Sequence, residues 1–338
     1  MKREEISMRD KAGSRVLLTA APGGHSGYAA AIAHYLREQH GVEPVFIVAE
    51  HDEWTPQKLS RLGQTIRVPM PRRPGEPLFK TLHRWPRAFL RALSIVDKDY
   101  RVLVSCGANL SVAPALVAKA KGLRLVNVES IVRLVEPGRT PKLLHRFADE
   151  TLVHWPEQAK LLPGARVVGP IYEPPRYKPR DEGYILVTAG TMGHRELFDA
   201  VSELGLRNIV LQTGRVDPEP YRRKHPNWIV FRYDPDLDKW IAGASIVITH
   251  FPGMTSATAA LAYQKPVVLV ASRHLILSAS QKNAPLYAEK IGAVYVDEVT
   301  PKNIEKAIER AEKIKPKKHP NGAENAAKII AEMLKESR

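Results

Sequence analysis

Two short apolar runs, residues 15–21 (RVLLTAA) and 184–188 (YILVT), each open into a glycine-rich turn and then a helical segment. Each run also starts a long series of the same kind. Strand, turn and helix in alternation, without tight hairpin signals, point to a doubly wound parallel sheet. Two such series in 338 residues predict two α/β domains, each large enough to bury a core of its own. In sheets of this kind ligands bind beyond the carboxyl ends of the strands.

The first series predicts strands at residues 15–21, 44–49, 65–68, 101–105, 123–128, 150–153 and 166–168. Helices are expected at 28–39, 55–61, 110–120 and 141–148. The second predicts strands at 184–188, 208–212, 228–232, 244–248, 267–270 and 294–296, with helices at 194–203, 281–291, 301–314 and 321–336. A proline-rich stretch, residues 172–183 (YEPPRYKPRDEG), separates them and reads as a stiff linker. The expected organisation is a first domain over 1–172, a linker at 173–183, a second domain over 184–320, and a C-terminal helix at 321–338 that packs back on the first domain.

The most informative stretch is 249–266 (THFPGMTSATAALAYQKP), between two β-branched runs. Gly253, Met254, Thr255 and Ser256 open an Ala-rich helix. Free backbone N–H groups and hydroxyls at a helix start make an anion site, and a nucleotide diphosphate is a common occupant. An ordinary capped helix without a ligand is the competing reading.

Residues 70–93 break the alternation. They hold six Lys/Arg against one acid, while Leu78, Leu82, Trp85, Phe89 and Leu93 recur at helical spacing. A basic amphipathic stretch with Trp and Phe suits an anionic membrane surface, contacted by Arg84, Trp85, Arg87, Phe89 and Arg91. Packing of that stripe on the sheet, with solvated arginines outside, is the plainer alternative. Pro86 is expected in the first turn of a restarted helix.

The formal charge of +15 attracts polyanions of any kind. No helix-turn-helix, zinc-finger or RNP-type signature supports nucleic acid as the partner. One cysteine, Cys106, precludes an intrachain disulfide and suits a reducing compartment. No run is long and apolar enough to span a bilayer. These features predict a cytoplasmic protein, peripheral on the inner face of the membrane, as monomer or homodimer. No metal-ligand spacing or DxD motif is present, so neither a metal nor another cofactor is expected.

Taken together, the motifs resemble a known family. The turn 187–191 (VTAGT), the strand-then-His of 246–250, the glycine at 253, Lys265-Pro266, and Gln281-Lys282-Asn283-Ala284 resemble the donor half of MurG-type GT-B glycosyltransferases. They also resemble the catalytic subunit of the two-subunit enzyme that adds the second GlcNAc to dolichyl-diphosphate-GlcNAc. Residues 23–27 (GGHSG), 128–133 (VESIVR), Ala148-Asp149, 153–157 (VHWPE) and Gly169 resemble that enzyme's recruiting subunit. The chain looks like both subunits fused.

The resemblance implies two Rossmann-like domains facing a cleft. It also implies inverting transfer of GlcNAc from UDP-GlcNAc to a polyprenyl- or dolichyl-diphosphate-linked sugar. His25 is the candidate base, with Glu129 the alternative. Gly24, Ser26 and Gly27 would meet the acceptor diphosphate. Gly190, Thr191, His250, Gly253, Met254, Thr255, Ser256, Gln281 and Asn283 would hold the donor. The carboxylate that such families place on the ribose is replaced here by Thr258-Ala259. A UDP-GlcNAc 2-epimerase shares the architecture and is the principal rival.

Overall fold

The computed structural model describes residues 15–72, 76–272 and 279–336. It divides into two compact units, residues 1–173 with 320–338, and residues 174–319.

In the first unit the order is β1 (Arg15–Ala20), α1 (Gly24–His40), β2 (Pro44–Ala49), α2 (Thr55–Leu59), β3 (Gln64–Val68), α3 (Arg84–Ile95), β4 (Tyr100–Ser105), α4 (Val112–Ala120), β5 (Arg124–Val128), α5 (Arg139–Leu144), β6 (Glu150–Val153), α6 (Pro156–Leu161) and β7 (Arg166–Val167). The seven strands form one parallel sheet in the order β3-β2-β1-β4-β5-β6-β7. Strand order reverses between β1 and β4, which pair with Thr19 opposite Ser105. Leu17, Ile47, Leu103 and Leu125 are fully buried on the sheet, against Ala88 and Ala92 of α3 and Ala113 and Val117 of α4.

The second unit runs β8 (Tyr184–Thr188), α7 (Arg195–Ser202), β9 (Ile209–Gln212), α8 (Glu219–Lys224), β10 (Ile229–Phe231), α9 (Leu237–Gly243), β11 (Ala244–Phe251), α10 (Met254–Ala257), β12 (Val267–Ala271), α11 (Ala284–Ile291), β13 (Val294–Val296) and α12 (Pro301–Ala311). Its sheet is also parallel, in the order β10-β9-β8-β11-β12-β13, reversing between β8 and β11. Val187, Leu211, Ile248 and Val268 build its core with Leu197, Phe198 and Ile304. The last helix, α13 (Gly322–Lys335), belongs to the first unit. There Gln39 of α1 donates to Glu324 (2.9 Å).

Several expectations need correction. The glycine-rich turn after β1 is itself the first turn of α1, which starts at Gly24 rather than Tyr28. Small residues at 24–27 read as a loop, yet they let the helix begin directly under the strand end. β11 continues through Thr249, His250 and Phe251, so His250 is a strand residue. The Ala-rich helix is one α-turn, followed by a π-helical turn at Thr258–Ala262. Three short helices, α6, α8 and α9, were hidden by charge and proline. The expected linker lies against the second unit. Arg176 pairs with Asp236 and Asp238, and the Arg180 and Glu182 N–H groups donate to Ala242 and Gly243 carbonyls.

Residues 70–93 also differ from the expected single stripe. A 3₁₀ turn, Leu78–Thr81, precedes α3, whose first turn holds Pro86. The helix buries Ala88, Ala92 and Ile95. Phe89 packs partly against the core, whereas Leu90 is 67% exposed, with Phe79, Leu82 and Leu93 also outside. Arg73, counted in this stretch, lies outside the described residues.

Candidate active site

Both sheets place a histidine at the point where strand order reverses, and the two are built differently. In the first unit His25 enters just after β1. Its Nδ1 is 2.8 Å from the Cys106 carbonyl, just beyond β4. A carbonyl only accepts, so Nδ1 carries the proton and Nε2 keeps its lone pair. Burial pushes the His25 pKa down; the Cys106 contact opposes this and nearby Arg133 adds to it. The ring is therefore neutral near pH 7, as a general base must be.

The strap that presents Cys106 is fixed in turn. Thr19 Oγ1 accepts from the Cys106 N–H (3.0 Å) and pairs with Ser111 Oγ (2.6 Å). Gly107 has φ +91°, and a Cβ there would stand 2.8 Å from His25 Nδ1. Only glycine admits the ring so close. Ala108, at φ 60° and ψ 162°, occupies backbone space that L-residues rarely adopt.

Glu129 directly follows β5 and is almost wholly buried. Oε1 accepts from the Ser130 N–H (2.6 Å) and Oε2 from the Gly138 N–H (2.8 Å). Burial raises its pKa to about 7 against the pull of these bonds and of Arg133. With both oxygens on backbone donors, Glu129 fastens the loop after β5 rather than offering a free base. Arg133 pairs with Glu136 (3.0 Å). His154 Nε2 donates to the Glu129 carbonyl (2.8 Å) and Nδ1 accepts from the Ile171 N–H (3.0 Å). Burial lowers its pKa to about 4.

Of the residues expected at the acceptor diphosphate, Ser26 turns its hydroxyl back to the Gly23 carbonyl (2.8 Å). Gly24 and Gly27 lie in the first turn of α1. Backbone N–H groups at that helix start remain the donors available there.

In the second unit His250 is buried, and Nδ1 has no hydrogen-bond partner among the described residues. Burial, with His194 nearby, lowers its pKa to about 4. Two glycines frame the ring. A Cβ on Gly190 would lie 3.6 Å from Cε1; one on Gly253 would lie 3.2 Å from Cε1 and 3.4 Å from Nε2. Gly190 has φ +61° and leads into Thr191, whose carbonyl accepts from the Arg215 N–H (3.1 Å). Met254 and Thr255, both half-buried, begin α10, where the first N–H groups have no intrahelical acceptor. The result is a cradle of small residues around a neutral imidazole.

Other expected donor contacts are already engaged. Ser256 is fully buried; its hydroxyl donates to the Gly253 carbonyl (2.9 Å) and pairs with Tyr287 (3.1 Å). Asn283 is also fully buried and donates to the Ser280 carbonyl (2.9 Å). Gln281 is half-buried and donates to the Ser272 carbonyl (3.2 Å). Thr258 Oγ1 donates to the Met254 carbonyl (3.2 Å).

Sequence reasoning assigned no role to Tyr28, Arg133, His154 or His194. Tyr28, His154 and Arg133 lie within or beside quoted motifs, which was the available signal. His194 caps α7 through Nδ1 and reaches the Ala271 carbonyl through Nε2 (2.9 Å), a pairing across 77 residues that no local pattern reveals.

Two parallel sheets with ligand-ready ends define the GT-B class of fold. Within it, residues 184–336 match the glycosyltransferase family 28 C-terminal domain. The chain is 30% identical over 231 residues to a UDP-N-acetylglucosamine–N-acetylmuramyl-(pentapeptide) pyrophosphoryl-undecaprenol N-acetylglucosamine transferase of a Nocardioides species, covering 60% of this chain and 61% of that one. It is 27% identical to the protein of that name from Desulfotalea psychrophila, covering 86% and 85%. Among solved structures, Acinetobacter baumannii MurG superposes with TM-score 0.66 at 18% identity, over 94% of this chain and 99% of that one. A UDP-N-acetylglucosamine 2-epimerase from Listeria monocytogenes, itself described as putative, gives 0.65 at 14%, over 93% and 90%. At such identities the structures share the fold alone.

Proposed function

We propose that this protein is an inverting hexosyltransferase that moves GlcNAc from UDP-GlcNAc to a lipid-diphosphate-linked sugar. The specific reaction is addition of the second GlcNAc to an N-glycan lipid precursor. The observation that carries the reading is the neutral His25, held by its Nδ1 and with no hydrogen bond to Nε2 among the described residues, in a chain whose residues 184–336 match the family 28 C-terminal domain. His25 Nε2 takes the proton of the acceptor hydroxyl as that oxygen bonds to C1 of the sugar. The bond from C1 to the β-phosphate oxygen breaks, and UDP leaves. The cradle of Gly190, Gly253, Met254 and Thr255 offers backbone N–H groups to the UDP diphosphate, with His250 beside it. These donors serve in place of a divalent metal.

The acceptor lipid brings the enzyme to the inner face of the membrane. Phe79, Leu82, Leu90 and Leu93 supply the apolar contact. Arg67, Arg87 and Arg91 line a pocket beside Leu90 together with Glu50, which pairs with Arg87; the excess of cations suits anionic headgroups.

The test is product analysis with UDP-GlcNAc, with and without a short-chain prenyl-diphosphate-GlcNAc and EDTA. The reading predicts an acceptor-dependent disaccharide, unaffected by EDTA. UDP-ManNAc from donor alone would identify an epimerase. Activity abolished by EDTA would reject the metal-free account.

A further inference from the structure

The loop after β5 is held more firmly than a connection requires. Glu129 closes it through Ser130 and Gly138. Tyr28, from the same first turns of α1 as His25, accepts from the Ile131 N–H (2.9 Å). Trp155 Nε1 donates to the Ile131 carbonyl (2.9 Å), and Gln158 Nε2 donates to the carbonyls of Ser130 (2.7 Å) and Arg133 (2.9 Å). Four side chains from three separate elements thus fix residues 130–133.

This platform carries Arg133. The Arg133 side chain is only 12% exposed, while its partner Glu136 is 48% exposed. The guanidinium acts electrostatically on His25, Glu129 and Arg139, so it sits among the groups around the proposed base. A planar guanidinium with several donors is well matched to a phosphate. The chain beyond it is amphiphilic. Val135, Leu143 and Phe147 are exposed, and so are Arg139, Lys142 and Arg146.

We propose that Arg133 binds the diphosphate of the acceptor, and that Val135, Leu143 and Phe147 receive the start of its lipid chain. This rests on the transferase reading above and adds the subsite. It moves the diphosphate contact from Ser26, whose hydroxyl is engaged, to a side chain on the neighbouring loop.

The probes are farnesyl diphosphate and inorganic pyrophosphate, titrated into the full chain under saturating UDP. Arg133→Met should weaken farnesyl diphosphate binding about tenfold or more, with Arg133→Lys between. UDP affinity should not change. Farnesyl diphosphate should bind more tightly than pyrophosphate; equal affinity would overturn the lipid-chain half of the proposal. Glu136→Gln keeps the cation and removes its partner, so it should tighten binding. Unchanged farnesyl diphosphate affinity in a folded Arg133→Met, or no gain in Glu136→Gln, would overturn the diphosphate half. The two readings fail separately. Arg133-dependent binding without sugar transfer rejects the transferase. Transfer with an unaltered acceptor KM in Arg133→Met rejects the subsite.

Discussion

The two switch points solve opposite problems. At the first, between β1 and β4, the polar groups that orient His25 are tied. The ring is bonded to Cys106, the Cys106 strap to Thr19 and Ser111, and the neighbouring loop to Glu129, Tyr28, Trp155 and Gln158. At the second, between β8 and β11, His250 Nδ1 has no partner among the described residues, and glycines stand where side chains would otherwise approach. A group that must move a proton needs its orientation and tautomer fixed beforehand. A pocket that must admit a diphosphate needs open backbone donors and little bulk. The wired site is suited to chemistry and the bare one to a ligand.

The sharpest break in this comparison is His25→Ala. Turnover should fall by about 10²–10⁴ with donor affinity retained; near-normal kcat would remove the base assignment. Next is the response to acid. His250 has a folded pKa of about 4, below the ordinary value of about 6.5. Its contribution to stability is full above pH 6.5 and is lost as pH falls toward 4. The loss is roughly 3 kcal/mol. His154 acts in the same sense. Glu129, raised to about 7, acts in the opposite one: its contribution is full below about 4.5 and is lost as pH rises through 7. Among the described residues the first unit therefore has an opposing buried carboxylate and the second has none. Hydrogen exchange read by unit should show the second losing more protection between pH 6.5 and 4. His250→Gln should remove most of that loss; an unchanged loss would mean that His250 is not held neutral.

Gly253→Ala probes the cradle. Gly253 has an extended backbone, φ −174°, which alanine also adopts, so the fold should survive. The added methyl would sit 3.2 Å from His250 Cε1, and UDP affinity should drop about tenfold. Wild-type affinity would place the diphosphate elsewhere. The smallest effect is expected at the surface. Reversing the charge at Arg84, Arg87 and Arg91 should cut co-sedimentation with anionic vesicles several-fold, less than three free cations would give, because Arg84 and Arg87 already pair with Glu76 and Glu50. The same loss with Leu90→Ser and Leu93→Ser would show that the exposed apolar face is part of the contact.

The architecture was legible because parallel strands buried on both faces spell themselves out as short β-branched runs. Residues 44–49 and 184–188 were placed to the residue. The short helices α8 and α9 were not, because few turns and many charges leave no periodicity to read. At the site, His25 and Gly253 stood out by their local glycine context. Ser256 and Asn283 also looked like ligand contacts by residue type. Their commitments to Tyr287 and to the Ser280 carbonyl depend on packing that sequence spacing does not show. The long-range partner of His25 was invisible for the same reason: Cys106 lies 81 residues from it. Resemblance found the histidine, and only the fold shows what holds it.

The most direct test of this division of labour is one calorimetric series. UDP-GlcNAc is titrated into the wild-type protein, His25→Ala and Gly253→Ala, and each sample is then assayed for transfer. The account predicts normal donor binding without turnover in His25→Ala, and weakened donor binding in Gly253→Ala. Loss of donor binding in His25→Ala, or wild-type binding in Gly253→Ala, would contradict it.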